Sequence, residues 1–266
     1  MSDLLKIERS DRVLTVTLNR PDIGNAFNGE LIAALTTLFR EELPNEIHVH
    51  AVVLAAAGKH FCAGADLAWM KSTASFGKVE NAADARRMAG LFEAIDACPK
   101  PVIGKIHGAA RGGGVGLVAA MDIPVASDNA SFALTEVRLG LAPAVISPFV
   151  VRKIGVPRAR ELFLTGETFG AADALSYGLV NHVVPAADLD AKVEERVKLV
   201  LLGGPIALAA CKDLARTITR IPEDEAVVKT ANLIAELRAS PEAQEGMRAF
   251  LMKDAPRWTK TTPEAK

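Results

Sequence analysis

Between Val13 and Leu18 the chain alternates, with Leu14, Val16 and Leu18 on one side and Thr15 and Thr17 on the other. A period of two predicts a strand with one buried face. The Ser10-Asp11-Arg12 turn joins it to a shorter strand over Leu4–Glu8. After the break at Asn19-Arg20-Pro21 the spacing changes to helical. Leu31, Leu35, Leu38 and Phe39 recur on one face until Pro44, and Asn28 stands where an N-cap is needed. Ala51–Ala56 is wholly apolar and reads as a buried strand. Met88, Leu91, Phe92 and Ile95 then form one stripe of a helix over Asn81–Cys98, which stops before Pro99-Lys100-Pro101.

Three stretches share one plan. Ala51–Ala56 leads to Phe61-Cys62-Ala63-Gly64-Ala65-Asp66, Pro101–Ile106 to Arg111-Gly112-Gly113-Gly114, and Ile123–Ala126 to Phe132-Ala133-Leu134-Thr135-Glu136. In each, a buried strand is followed by a turn and a second extended piece before helix resumes, a pattern of superhelical coils rather than a βαβ sheet. From Ala186 the pattern is helical. Helices are predicted over Ala186–Leu202, Pro205–Arg220, Glu223–Ala239 and Pro241–Met252, divided by Gly203-Gly204, Pro222 and Pro241. The expected organisation is a mixed α/β body over residues 1–200 and a helical region over 201–266 whose apolar stripe suits a subunit interface. The tail Trp258–Lys266 is polar and reads as frayed.

Composition narrows the classes. Of 266 residues half are hydrophobic, and 31 basic against 32 acidic side chains leave a charge of −1. That balance argues against nucleic-acid and anionic-membrane partners, which call for a basic excess. No apolar run approaches the roughly 20 residues of a membrane span. Three scattered cysteines, Cys62, Cys98 and Cys211, suggest a reducing compartment and no metal site. With no charged-then-apolar leader in residues 1–20, a cytoplasmic location is expected.

Gly112-Gly113-Gly114-Val115-Gly116 precedes a short helical stretch, so bare backbone N–H groups and a helix N-terminus can face a phosphate or a developing oxyanion. A phosphate loop would need a Lys-Ser/Thr pair or an unbroken G-x-G-x-x-G, and neither is present. A tight packing turn accounts for the glycines equally well. Ala63-Gly64-Ala65-Asp66 is a second small-residue loop, in which Asp66 reads most simply as a helix-start acid. Two such loops in adjacent coils could converge on one oxygen, and each oxyanion donor is worth roughly 10²–10³ in rate. Glu136 lies among Phe132, Leu134, Val137 and Leu139, surroundings that raise a carboxyl pKa toward general acid–base use. Arg138 suits a ligand carboxylate or the surface. The five histidines lack ligand spacing, no G-x-S-x-G elbow occurs, and Cys62 reads as a buried small hydrophobe.

At these residues the chain resembles the crotonase (enoyl-CoA hydratase/isomerase) family. The resemblance runs from about Asp11 to Phe250. It rests on Leu18-Asn19-Arg20-Pro21 with Asn25-Ala26, Phe61–Leu67, Lys100–Ile103, Gly112-Gly113-Gly114, Phe132–Glu136, Leu164–Glu167, Ala171–Ala174 with Gly178–Val180, and Glu245-Gly246-Met247. It implies a spiral of ββα turns with a C-terminal helical trimerisation region, in homotrimers or hexamers. The implied substrates are acyl-CoA thioesters, with no cofactor beyond the CoA they carry. By the same resemblance, the Ala65 and Gly113 N–H groups form an oxyanion hole beside Gly112, and Ala26, Ala63, Asp66 and Leu67 line the CoA and acyl pocket. Lys253 matches a position that reaches a CoA phosphate from a neighbouring subunit.

The chain also departs from the family. Two-glutamate hydratases carry their first Glu where this sequence has Gly116, and a glycine that helps hold the attacking water is replaced by Ala144. The run Glu136–Pro148, with Gly114-Val115-Gly116-Leu117, is similar to bacterial hydratases of branched-chain catabolism, notably 3-methylglutaconyl-CoA hydratase in leucine breakdown. The expectation is therefore an enoyl-CoA hydratase working with Glu136 as its acid/base. A Δ3,Δ2-enoyl-CoA isomerase using the same glutamate and a non-catalytic acyl-CoA binding protein are the alternatives.

Overall fold

The alternating segment is paired on both sides. In the computed structural model, which describes residues 3–260, β1 (Leu5–Ser10) and β2 (Val13–Leu18) form an antiparallel hairpin. Strand β3 (Ala51–Ala56) then runs parallel to β2, with Val13 opposite Ala51 and Leu18 opposite Ala56. Leu14, Val16 and Leu18 are buried, as the period of two requires.

Six further strands and a bridged loop build two sheets. They are β4 (Val102–Ile106), β5 (Ala109–Arg111), β6 (Ile123–Ser127), β7 (Ser131–Ala133) and β8 (Thr168–Gly170), with β9 (His182–Val184) added at an edge. The larger sheet has the order β1-β2-β3-β4-β6-β9 and the smaller β5-β7-β8. Each coil thus places its first strand in the large sheet and its second in the small one, the arrangement of a ββα spiral. In the first coil the second extended piece is too short and irregular for a strand. Gly64 turns at φ 95°, and only single bridges, Cys62 to Ala110 and Phe27 to Ala65, continue the layer.

Helices close the coils. Asn28 caps α1 (Gly29–Thr37) by accepting the Leu31 N–H, and the apolar spacing beyond it continues as a π turn over Leu38–Glu42. Next come α2 (Leu67–Thr73) and α3 (Lys78–Ala97), on which Leu91, Phe92 and Ile95 are fully buried. Three more follow: α4 (Gly113–Ala120), α5 (Ser147–Thr165) and α6 (Ala171–Tyr177). The outer face of the large sheet, Ala51, Val53, Ile103 and Val125, is covered by Leu189, Val193 and Val197 of α7 (Leu189–Val200).

The C-terminal region comprises α8 (Pro205–Thr217), α9 (Glu223–Ala239) and α10 (Pro241–Leu251). It is fastened to the body by Lys212, whose Nζ donates to the Ile95 and Lys100 carbonyls and, at 2.7 Å, to Asp122. Val227, Val228, Ile234, Phe250 and Leu251 of α9 and α10 stay exposed. The tail is more ordered than its polarity suggests. Arg257–Thr259 forms a 3-10 turn, and the Trp258 indole N–H donates to the Leu202 carbonyl, so fraying is wrong here; residues 261–266 lie outside the described residues. Among the described residues no helix is long and apolar enough to cross a membrane.

Candidate active site

The small sheet delivers the glycine loop and Glu136 to the same end. Strands β5 and β7 run parallel with Arg111 opposite Ala133, and the Gly112 N–H donates to the Ala133 carbonyl at 2.9 Å. Gly113 therefore begins α4 just beyond β5. Glu136 sits on a 3-10 turn (Thr135–Leu139) just beyond β7. The carboxylate folds back over the loop, and a Cβ on Gly112 would lie 3.0 Å from its Oε1. Gly112 has φ 48° and ψ −115°, backbone open only to glycine.

Glu136 Oε2 is sealed and, among the described residues, has no hydrogen-bond partner. Burial pushes the carboxyl above the usual range, opposed only by the bond from its own N–H. The raised pKa makes the ionised carboxylate a stronger base than a solvated glutamate.

The first-coil loop meets the glycine loop through backbone. Cβ atoms on Gly64 and Gly114 would lie 3.1 Å from the Arg111 carbonyl oxygen and 2.5 Å from that of Cys62, so a side chain at either position would force the loops apart. The Phe27 N–H donates to the Gly64 carbonyl at 2.7 Å, and the Asp66 N–H to the Phe27 carbonyl at 2.9 Å. In such a parallel bridge the N–H of the middle residue, Ala65, points away from Phe27. Among the described residues neither the Ala65 nor the Gly113 N–H has an acceptor. The N-terminus of α4 adds partial positive charge at Gly113.

Asp66 caps α2 by accepting the Ala68 N–H and pairs with Arg20 at 2.8 Å. The Arg20 guanidinium holds the carboxyl below its ordinary range. The same guanidinium donates to the Ala26 carbonyl, tying Ala26 and Asp66 together. The Ala63 N–H donates to the Gly24 carbonyl, and Ala63, Ala65 and Leu67 are exposed. Gly116 is buried within α4; a Cβ there would overlap the Ile146 Cγ2 methyl and lie 2.9 Å from the Phe92 ring. The space for a first carboxylate is filled with hydrocarbon.

Arg138 is exposed, its Nε 3.3 Å from where a Cβ on Gly166 would stand. Lys253 is exposed beyond α10, with left-handed backbone (φ 56°). Cys62 is fully buried and its thiol is pushed up to about 12, which removes it as a nucleophile. A cavity of about 980 Å³ lies elsewhere, between the β1–β2 turn and the C-terminal helices, and none of the candidate residues lines it.

Two contributors have no role assigned to them in the sequence reading. Asn25 is fully buried at φ 56°; its Oδ1 accepts the Arg20 N–H, and its Nδ2 donates to the Ala57 and His60 carbonyls. Asn tolerates that backbone, and an Asn beside a helix start was the available signal. Phe27 gives no signal beyond being an aromatic.

Comparison with known proteins agrees with this geometry. The model of the enoyl-CoA hydratase/isomerase family matches residues 8–261. Carnitinyl-CoA dehydratase of Escherichia coli K12 is 34% identical over 264 residues, covering 97% of this chain and 99% of the relative. The solved enoyl-CoA hydratase of Shewanella pealeana is 37% identical, with a TM-score of 0.92 and 96% of both chains covered. An enoyl-CoA hydratase/isomerase from Marinobacter aquaeolei is 32% identical, with a TM-score of 0.93, covering 97% of this chain and all (100%) of that one. The spiral of paired strands and the span of these matches agree: the chain is an enzyme of the enoyl-CoA hydratase/isomerase family, with the crotonase fold.

Proposed function

We propose that the enzyme adds water across the C2=C3 bond of an α,β-unsaturated acyl-CoA thioester. The observation that carries this reading is the unpartnered Glu136 carboxylate folded over a glycine loop beside unengaged backbone donors. Glu136 takes a proton from water as the water oxygen bonds to C3. The C2=C3 π pair forms a C1=C2 bond and the carbonyl π pair moves onto the thioester oxygen, which the Ala65 and Gly113 N–H groups hold as an enolate. The enolate then takes the proton from Glu136 at C2. One water is added and Glu136 ends as it began. General acid–base catalysis of roughly 10²–10⁴ combined with the oxyanion donors is a sufficient set, with no cofactor beyond the CoA of the substrate. The carnitinyl-CoA dehydratase relative is named for the reverse type of reaction, which supports water-adding and water-removing chemistry on a CoA thioester rather than either direction.

The substrate is a branched thioester of the 3-methylglutaconyl-CoA kind, with Arg138 meeting the distal carboxylate. Ala26, Ala63, Asp66 and Leu67 line the CoA channel. Copies assemble as a homotrimer or a hexamer through the exposed apolar residues of α9 and α10, and Lys253 reaches a neighbour's CoA phosphate.

The test is the enoyl-thioester absorbance of crotonyl-CoA and of 3-methylglutaconyl-CoA, with the products weighed. Loss of absorbance with a mass gain of one water, absent in Glu136→Gln, is the expected result. Arg138→Ala should raise KM for the dicarboxylic substrate alone. A single observation favours a second reading: with Ile146 and Phe92 against Gly116, only one carboxylate serves the site, and one base suffices for Δ3,Δ2-isomerisation. Conversion of a 3-enoyl-CoA without mass change, and no hydration of either 2-enoyl substrate, would establish the isomerase instead.

A further inference from the structure

We infer that Phe27 is a positioning residue that sets the distance between the two oxyanion donors; the inference rests on assigning that role to Ala65 and Gly113. Phe27 is fully buried between the loops and touches both. Its backbone brackets Ala65, accepting from Asp66 and donating to the Gly64 carbonyl, which turns the Ala65 N–H outward. Its ring lies under the other donor: a Cβ on Gly113 would be 2.9 Å from Phe27 Cε2 and 3.1 Å from Cδ2. The ring is held from behind by an edge-on contact with Phe92, centroids 6.3 Å apart and planes at 86°, and Phe92 packs in turn on Phe149. One rigid side chain thus spans from a backbone bridge on Ala65 to the first turn of α4. Only glycine at 113 allows the ring so close.

An oxyanion hole works through donors fixed before the charge forms, and a displacement near 1 Å costs on the order of 10²-fold. Phe27→Leu keeps the backbone bridge and the apolar burial but withdraws the ring from Gly113. The probe is a cinnamoyl-CoA thioester, whose absorbance and carbonyl stretch shift when the thioester oxygen is polarised. Wild type should show the shift. Phe27→Leu should lose most of it and lower kcat about 10- to 100-fold with KM little changed, while the acid limb of the pH profile, set by Glu136, stays in place. Phe39→Leu, at an equally buried ring in the π turn after α1, controls for lost stability and should keep both shift and kcat. A full shift and full kcat in folded Phe27→Leu would overturn the inference. Absence of the shift in wild type would instead overturn the oxyanion assignment beneath it.

Discussion

The Glu136 carboxylate rests on Gly112, with Oε1 3.0 Å from the point where any other residue would place a Cβ. The contact joins the turn after β7 to the loop after β5 and leaves Oε2 unpaired. Gly112→Ala would meet both the carboxylate and a backbone conformation (φ 48°, ψ −115°) closed to side chains. The expected outcome is about 1–3 kcal/mol of lost stability in urea unfolding. Turnover should fall at least about tenfold as the carboxylate is displaced.

Glu136→Gln should lower kcat by roughly 10²–10⁴ while substrate binding persists. It should also stabilise the protein at neutral pH. The folded-state pKa is raised by burial, so between the unfolded value of 4.5 and the raised one the native state binds more protons. Stability therefore falls as pH rises through that window and stays lower above it. Thermal melts should show a Tm advantage of the variant at pH 7 that closes as pH falls below the unfolded value. An unchanged gap across that range would contradict the burial of this carboxyl.

Activity should reflect the same shift. As a base Glu136 must be ionised, so the acid limb of kcat/KM should lie above the ordinary carboxylate range. Rate measurements across the acid range on any turned-over thioester would check it.

Installing the absent carboxylate should fail. Gly116→Glu forces a side chain into Ile146 and Phe92, and overpacking costs about 1–3 kcal/mol before the charge is counted. Gly116→Glu combined with Ile146→Ala should recover part of that loss in denaturant melts. Equal stability of the single and double variants would show that Ile146 is not the obstacle.

Lys212→Ala should cost on the order of 3–5 kcal/mol, since it strips a mostly buried ammonium from Asp122 and from two carbonyls at once. Protease accessibility of α8 should rise, because Lys212 ties α8 to the Ile95 and Lys100 carbonyls and to Asp122 in the body.

Much of the frame was legible along the chain. The alternation over Val13–Leu18, the apolar run Ala51–Ala56, the Asn28 cap and the helix Glu223–Ala239 appear where the pattern puts them. These are local signals, set by side-chain period and by capping chemistry. The reading was poorer where partners lie far apart in sequence. Trp258, read as part of a frayed tail, is tied down by Leu202.

By itself, then, the sequence determined the strands over Val13–Leu18 and Ala51–Ala56, the succession of C-terminal helices, the two small-residue loops and one glutamate in apolar company. Periodicity and composition carry that information because each depends on near neighbours. Tertiary structure alone decided that the Glu136 carboxylate folds onto Gly112, and that Arg20 ties Ala26 to Asp66. It alone placed Phe27 between Ala65 and Gly113 and filled the space beside Gly116 with Ile146. Those contacts join residues up to 86 positions apart (27 to 113) through the register of two sheets, and register is a property of strands paired in space.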